Sequence, residues 1–257
     1  LAKLTSNAFL AQRISSINSI SALCEATGAN VKEVSRAIGS DTRIGSKFLN
    51  TGPGFGGSCF KKDILNLVYL SEYFGLPEVA AFWESVVNLN NWHQNRISKL
   101  ITRKLFGTLS NKKIIVLGFA FKANTNDTRE SAAIQICKNL LEEEACLVIH
   151  DPKVSCKQIE FDLEKKVQVI DKKHNGNIPT IPTQGNWIFA ENLLKIFDNA
   201  DAVVVLTEWG IYKSLDWLKI SKQMRSPAWI FDTRSILNFK ELKNTGLNFW
   251  QIGDGLR

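Results

Sequence analysis

The hydrophobic pattern changes period at Lys112, and that change constrains the fold more than any other feature of the chain. Before it, apolar residues recur at helical spacing. After it, short apolar runs alternate with helical stretches. Ile114-Ile115-Val116-Leu117 suits a strand buried on both faces. Further strands are expected over 146–150, 202–206, 229–232 and 249–252, with helices over 130–144, 189–197 and 215–224 between them. Such alternation predicts βαβ units and a parallel sheet. Residues 172–185 are rich in Asn, Gly, Pro and Thr and read as a surface loop.

The first part is helical throughout. Ala8, Phe9, Ala11, Ile14, Ile17, Ile20 and Leu23 give a broad apolar face, as on a helix buried on more than one side. Gly28 stops that helix, Asn30 caps a short second one, and Gly39 ends it. A third helix follows Cys59 as far as Phe74. Pro77 opens a fourth, whose apolar period persists for about 27 residues. Gly107 marks the boundary. The reading is an α/β chain in two domains: an all-helical region over 1–106 and a Rossmann-like parallel-sheet domain over 107–257.

Composition narrows the function. At 257 residues the chain holds one large domain or two smaller ones, and 44% hydrophobic residues is ordinary for a globular protein. No apolar run approaches the roughly 20 residues that span a bilayer. No signal-peptide pattern opens the chain, and Leu1 reads as the start of a segment inside a larger protein. Five widely spaced cysteines point to free thiols in a reducing compartment, with no spacing that suggests a metal site. The net charge of +7 suits an anionic ligand but is spread out, which argues against nucleic acid.

The stretch Gly52-Pro53-Gly54-Phe55-Gly56-Gly57-Ser58-Cys59-Phe60-Lys61-Lys62-Asp63 carries the strongest chemical signal. Its glycines let backbone approach a ligand without a Cβ in the way. Cys59 stands where the loop runs into a helix, and the helix N-terminus with Lys61 and Lys62 favours a thiolate there. Read locally, a buried and inert cysteine is an equal alternative. Phe48 and Leu49 are candidate anchors for the loop. Lys3 and Asn7 share one helix face, where a cation and an amide can steady an oxyanion. Phe121 and Lys122 follow the first strand, and Arg234 follows the strand at 229–232, on the sheet edge where α/β folds bind ligands. Phe119 and Phe121 are too bulky for a dinucleotide fingerprint. Thr128 or Asp127 can cap the helix that follows. The three histidines read as packing or surface residues.

Together these segments resemble the UDP-glucose 6-dehydrogenase family. The motifs are residues 3–13, Gly54-Phe55-Gly56-Gly57-Ser58-Cys59 with Lys62-Asp63, Leu117-Gly118-Phe119-Ala120-Phe121-Lys122 with Asp127-Thr128-Arg129-Glu130-Ser131, Asp151-Pro152-Lys153 and Thr207-Glu208-Trp209. The resemblance covers the whole chain but only the central and C-terminal part of the family, without its NAD-binding first domain. Residues 7–29 look most like the animal-type enzymes.

The resemblance implies NAD as cofactor, UDP-glucose and UDP-glucuronate as ligands, a cytoplasmic homo-oligomer and covalent catalysis by Cys59. It implies an oxyanion role for Lys3 and Asn7 and a proton or water role for Asp63. Lys3, Leu4, Thr5, Ser6, Asn7, Phe48, Asn50, Thr51, Gly52, Pro53, Gly54, Phe55 and Gly56 would line the sugar and phosphates, with Phe121, Lys122 and Arg234 on the UDP moiety. Arg43 would reach a neighbouring subunit's site. Cys59, Phe60, Lys61, Lys62 and Arg129 would face NAD. Asn50 stands where the animal enzymes have lysine, and Thr233 where a glycine is usual. Without the first domain the segment is not expected to turn over alone. A dehydrogenase of GDP-mannose or UDP-N-acetylmannosamine, and a non-catalytic UDP-sugar-binding and dimerisation module, are the alternatives.

Overall fold

A computed structural model of the chain describes residues 1–168, 182–194 and 196–256. It opens with α1 (Ala2–Thr27), α2 (Val31–Gly39), α3 (Phe60–Tyr73) and α4 (Pro77–Lys104). Their ends follow local chemistry. Gly28 closes α1 in the left-handed region, at φ 77°. The Asn30 side chain accepts the Lys32 N–H at 2.9 Å and caps α2. Pro77 sits in the first turn of α4, where its missing N–H costs nothing.

The buried face of α1 is partly polar: Ser15, Asn18 and Ser21 are covered alongside Ala8, Ala11, Ile17 and Cys24. Small side chains there let α1 approach its neighbours closely. Burial on more than one side does not extend to Phe9 and Leu23, which are 54% and 58% exposed.

The second part runs β1 (Lys113–Leu117), α5 (Ala132–Glu142), β2 (Cys146–His150), α6 (Cys156–Leu163), β3 (Trp187–Phe189), β4 (Ala202–Val205), α7 (Gly210–Lys213), α8 (Trp217–Ser221), β5 (Trp229–Asp232), α9 (Phe239–Leu242) and β6 (Asn248–Gln251). The strands form one sheet in the order β3-β2-β1-β4-β5-β6, with every neighbouring pair parallel. β1, β2 and β4 are buried along their whole length, as continuous apolar runs require. The order reverses between β1 and β4, which places a topological switch point at their C-terminal ends.

The structure corrects the expected helix at 189–197. Phe189 closes the edge strand β3, paired with Ile149, and residues 190–194 carry no helix. Apolar side chains there cover the edge of the sheet; Ala190, Ile196 and Phe197 belong to its core. The helix expected over 215–224 is shorter, and α7 precedes it. α6 and α9 were not anticipated. Ser131, rather than Thr128 or Asp127, caps α5. Of the loop expected at 172–185, residues 172–181 lie outside the described residues, and residues 182–185 are neither helix nor strand.

The main core surrounds the sheet and takes in Ile97, Leu100, Ile101 and Leu105 from the end of α4. Val86 and Val87, earlier in the same helix, pack instead with Ala8, Ala11, Phe55, Ile64 and Leu67. One helix therefore belongs to both cores. Among the described residues, no helix is long and apolar enough to cross a membrane.

Candidate active site

The glycine-rich loop is held by buried side chains on α1 and α4. Asn18 Oδ1 accepts the Gly52 N–H at 3.1 Å. Asn90 Oδ1 accepts the Phe55 N–H at 2.8 Å, and its amide donates back to the Phe55 carbonyl at 3.3 Å. His93 Nε2 lies 2.9 Å from the Gly52 carbonyl. A carbonyl oxygen can only accept, so Nε2 carries the hydrogen and Nδ1 is bare. Burial, and next the Arg96 charge, push the His93 pKa down to about 4, against the pull of the Gly52 bond. The glycines are what allow this contact. A Cβ on Gly54 would lie 2.9 Å from Asn90 Oδ1, and one on Gly56 would lie 2.5 Å from the Glu130 carbonyl oxygen. The loop is thus clamped between α4 and the segment around residue 130.

At the loop's end Cys59 occupies the N-cap position of α3. It is the one exposed thiol of the five. Cys24, Cys137 and Cys146 are buried and Cys156 is half-buried, and burial pushes all four thiols up. One turn into α3, the Asp63 N–H donates to the Cys59 carbonyl at 2.8 Å. The Asp63 carboxylate is buried and accepts from the Asn7 amide at 2.6 Å. That bond ties α1 to α3 directly under the thiol loop. Lys3 lies one helical turn before Asn7 on α1 and is exposed, with no partner among the described residues. Leu4, Thr5 and Ser6 complete that turn. A nucleophilic thiol, a cation and an amide–carboxylate pair can support acyl chemistry at sulfur.

The sheet adds a wall that carries Arg234 and Lys122. Arg234 follows β5, and its side chain is 17% exposed. Its Nε donates to the Leu206 carbonyl at 2.8 Å and its Nη2 to the Phe121 carbonyl at 2.9 Å, while Glu208 Oε2 lies 3.3 Å from Nε. Burial pushes this guanidinium below the usual arginine range, opposed by Glu208 and Asp232. Asp151 fixes the loop after β1, accepting from the Phe119 and Ala120 N–H groups at 2.8 and 3.1 Å. Lys122 is exposed and stacks over Phe121, 5.4 Å from the ring centroid. Asn50, Thr51, Glu208 and Arg234 line a cavity of about 550 Å³ that Lys32 and Lys213 also border.

The remaining candidates divide. Pro53 and Phe55 are buried within the loop, and Phe60 meets Phe55 edge-on at 6.1 Å. Leu49 anchors the loop, but Phe48 does not: it is 41% exposed, so its anchoring role is withdrawn. Arg43 projects from the helical region, paired only with Asp41 at 2.6 Å. Lys61 pairs with Glu130 at 2.9 Å and Arg129 with Asp127 at 2.7 Å, while Lys62 is exposed. Sequence reasoning missed Asn18, Asn90 and His93. The available signal was polar residues recurring on otherwise apolar helix faces, His93 among them.

Two family models cover most of the chain. The central domain of the UDP-glucose/GDP-mannose dehydrogenase family matches residues 1–92, and the UDP binding domain of the same family matches residues 115–239. The chain is 50% identical over 258 residues to UDP-glucose 6-dehydrogenase 4 of Arabidopsis thaliana, covering 100% of this chain and 53% of the relative. It is also 50% identical to UDP-glucose 6-dehydrogenase of Bos taurus, over 98% of this chain and 50% of the relative. Among solved structures, a UDP-glucose dehydrogenase from the hyperthermophilic archaeon Pyrobaculum islandicum matches with a TM-score of 0.76 at 28% identity, covering 99% of this chain and 50% of that one. The chain spans about half the length of the curated relatives it matches. With its helical region matched to the central domain and its sheet to the UDP binding domain, this chain belongs to the UDP-glucose/GDP-mannose dehydrogenase family.

Proposed function

We propose that the protein carrying this chain oxidises UDP-glucose to UDP-glucuronate in two steps, with Cys59 as the nucleophile of the second. The observation that carries this reading is the exposed Cys59 thiol at the start of α3, one turn from the Asn7–Asp63 bond of 2.6 Å. NAD, when bound, supplies the hydride acceptor. The exposed Lys62 and the largely exposed Arg129 beside the thiol loop fit an anionic cofactor. Cys59, Phe60, Lys61, Lys62 and Arg129 would hold its near side.

The chemistry explains the thiol. An aldehyde at C6 has no carbinol hydrogen to lose as hydride. Addition of the Cys59 thiolate forms a C–S bond and turns the carbonyl oxygen into an oxyanion, steadied by Lys3 and Asn7. The resulting thiohemiacetal has the hydrogen that the aldehyde lacks. Its oxidation gives a thioester on Cys59. Water then attacks the carbonyl, the C–S bond breaks and the thiolate leaves. Asp63 takes the water's proton or orients the water through its bond to Asn7.

The UDP moiety lies along Asn50 to Gly56, against Phe121 and Lys122, with Arg234 on phosphate. Charge-assisted bonds of this kind contribute about 1.5–3 kcal/mol each. Two measurements test the function. Titrating UDP into the chain should release heat, and Lys122→Ala should weaken binding by that amount; unchanged affinity removes Lys122 from the site. The full-length protein should form two NADH per molecule of product, as the four-electron oxidation of an alcohol to an acid requires; a ratio of one would mean that the reaction stops at the aldehyde and the second step is wrong.

The helical region over 1–106 forms a subunit contact. Phe9, Tyr73, Phe74, Leu76, Val79 and Phe82 expose apolar side chains on α1, α3, α4 and the turn between α3 and α4, and Arg43 is exposed beside Asp41. Such an interface should be large and apolar. Sedimentation as a monomer at micromolar concentration would count against it. Five free thiols support a reducing, cytoplasmic setting, which cell fractionation checks.

A further inference from the structure

The loop bearing Cys59 is seated from one side by α4, as described above. Its other side rests on Phe121. A Cβ at Gly57 would lie 3.3 Å from Phe121 Cε2 and 3.4 Å from Cζ, so the ring stands over the backbone two residues before the thiol. The Gly57 N–H donates to the Arg129 carbonyl at 2.8 Å, and Lys61, two residues after the thiol, pairs with Glu130 at 2.9 Å. The thiol is thus bracketed by contacts to one segment, residues 121–130.

Phe121 itself is fixed at both ends of its peptide unit. Its N–H donates to the Asp127 carbonyl at 3.1 Å, and its carbonyl accepts from Arg234 Nη2 at 2.9 Å. A side chain needed only to cover a nucleotide has no reason to be braced against the thiol loop. We propose that Phe121 is a positioning residue for Cys59: its ring is the stop that seats the Gly56–Gly57 turn and aims the thiol along the start of α3. This rests on Cys59 being the reactive thiol of the proposed function.

The mechanism is geometric. Exposed N–H groups at a helix start stabilise an anion only over the first turn, so a loop free to swing takes the sulfur out of their reach. Losing that alignment takes the sulfur away from the helix start, and Lys61 with Glu130 is too exposed to hold the loop by itself.

The test is iodoacetamide labelling of the full-length protein, read residue by residue by mass spectrometry with Cys156 as internal reference. The parent should label first at Cys59. Phe121→Leu, which keeps apolar bulk but loses the flat face, should slow Cys59 labelling roughly threefold. Phe121→Tyr, which keeps the ring, should restore the parent rate. Labelling at Cys156 and the melting temperature should stay unchanged in Phe121→Leu. If Cys59 in the parent labels no faster than Cys156, the nucleophile assignment fails and takes this inference with it. If Cys59 labels first but Phe121→Leu matches the parent, only the positioning role is overturned.

Discussion

Replacing Cys59 by serine in the full-length protein should stop the proposed formation of UDP-glucuronate while leaving UDP binding in place. Serine keeps the position at the start of α3, and Oγ is close to isosteric with Sγ. It does not keep the chemistry. A hydroxyl is far less ionised than a thiol at neutral pH, and an ester releases its acyl group to water more slowly than a thioester. Loss of a covalent nucleophile commonly costs on the order of 10³-fold or more in turnover. The first oxidation uses no sulfur, so NADH should still form at the aldehyde level, and intact-mass spectra should reveal any trapped ester. A serine variant that makes acid at the parent rate would return Cys59 to the status of an exposed bystander.

The second large effect concerns acid. His93 is neutral in the folded chain, with a pKa of about 4, and titrates near 6.5 once unfolded. Between those values the unfolded chain binds a proton that the folded chain refuses. Stability is therefore fully present above pH 6.5 and falls as pH drops toward 4. The window of about 2.5 units corresponds to roughly 3 kcal/mol. His93→Gln retains a donor for the Gly52 carbonyl but no titrating ring. Urea midpoints at pH 7 and 4.5 should fall much further in the parent than in the variant, with the common loss from carboxylates cancelling in the comparison. Equal losses would mean that His93 titrates normally, and the burial argument for it would be wrong.

The strands of the sheet were legible because their signal is local. Ile114 to Leu117, Cys146 to His150, Ala202 to Val205 and Trp229 to Asp232 are apolar runs buried on both faces, and such runs leave few other readings. β3 was not legible: three residues give no period, and the apolar side chains after it mimic helical spacing while covering a sheet edge. The site divides in the same way. Cys59 with Asp63, and Lys3 with Asn7, could each be expected as a pair, because positions four apart share a helix face. The bond between Asn7 and Asp63 joins positions 56 apart, and nothing local announces it. Asn18, Asn90 and His93 stand on otherwise apolar helix faces, and nothing in their spacing names the glycine loop as the partner they hold. The likeness to animal-type enzymes over residues 7–29 does not single out animals for the whole chain, since a plant relative is as similar as the cattle one.

The division of α4 between two cores has a consequence for modularity. A cut at residue 107, where composition suggests one, would strip Ile97, Leu100, Ile101 and Leu105 from the sheet's interior and leave an apolar trench along one face. The sheet is incomplete without a helix that begins in the other layer. Recombination that exchanged the nucleotide-binding half for a foreign one would have to carry the end of α4 with it. The two layers are joined by a shared helix rather than by a linker.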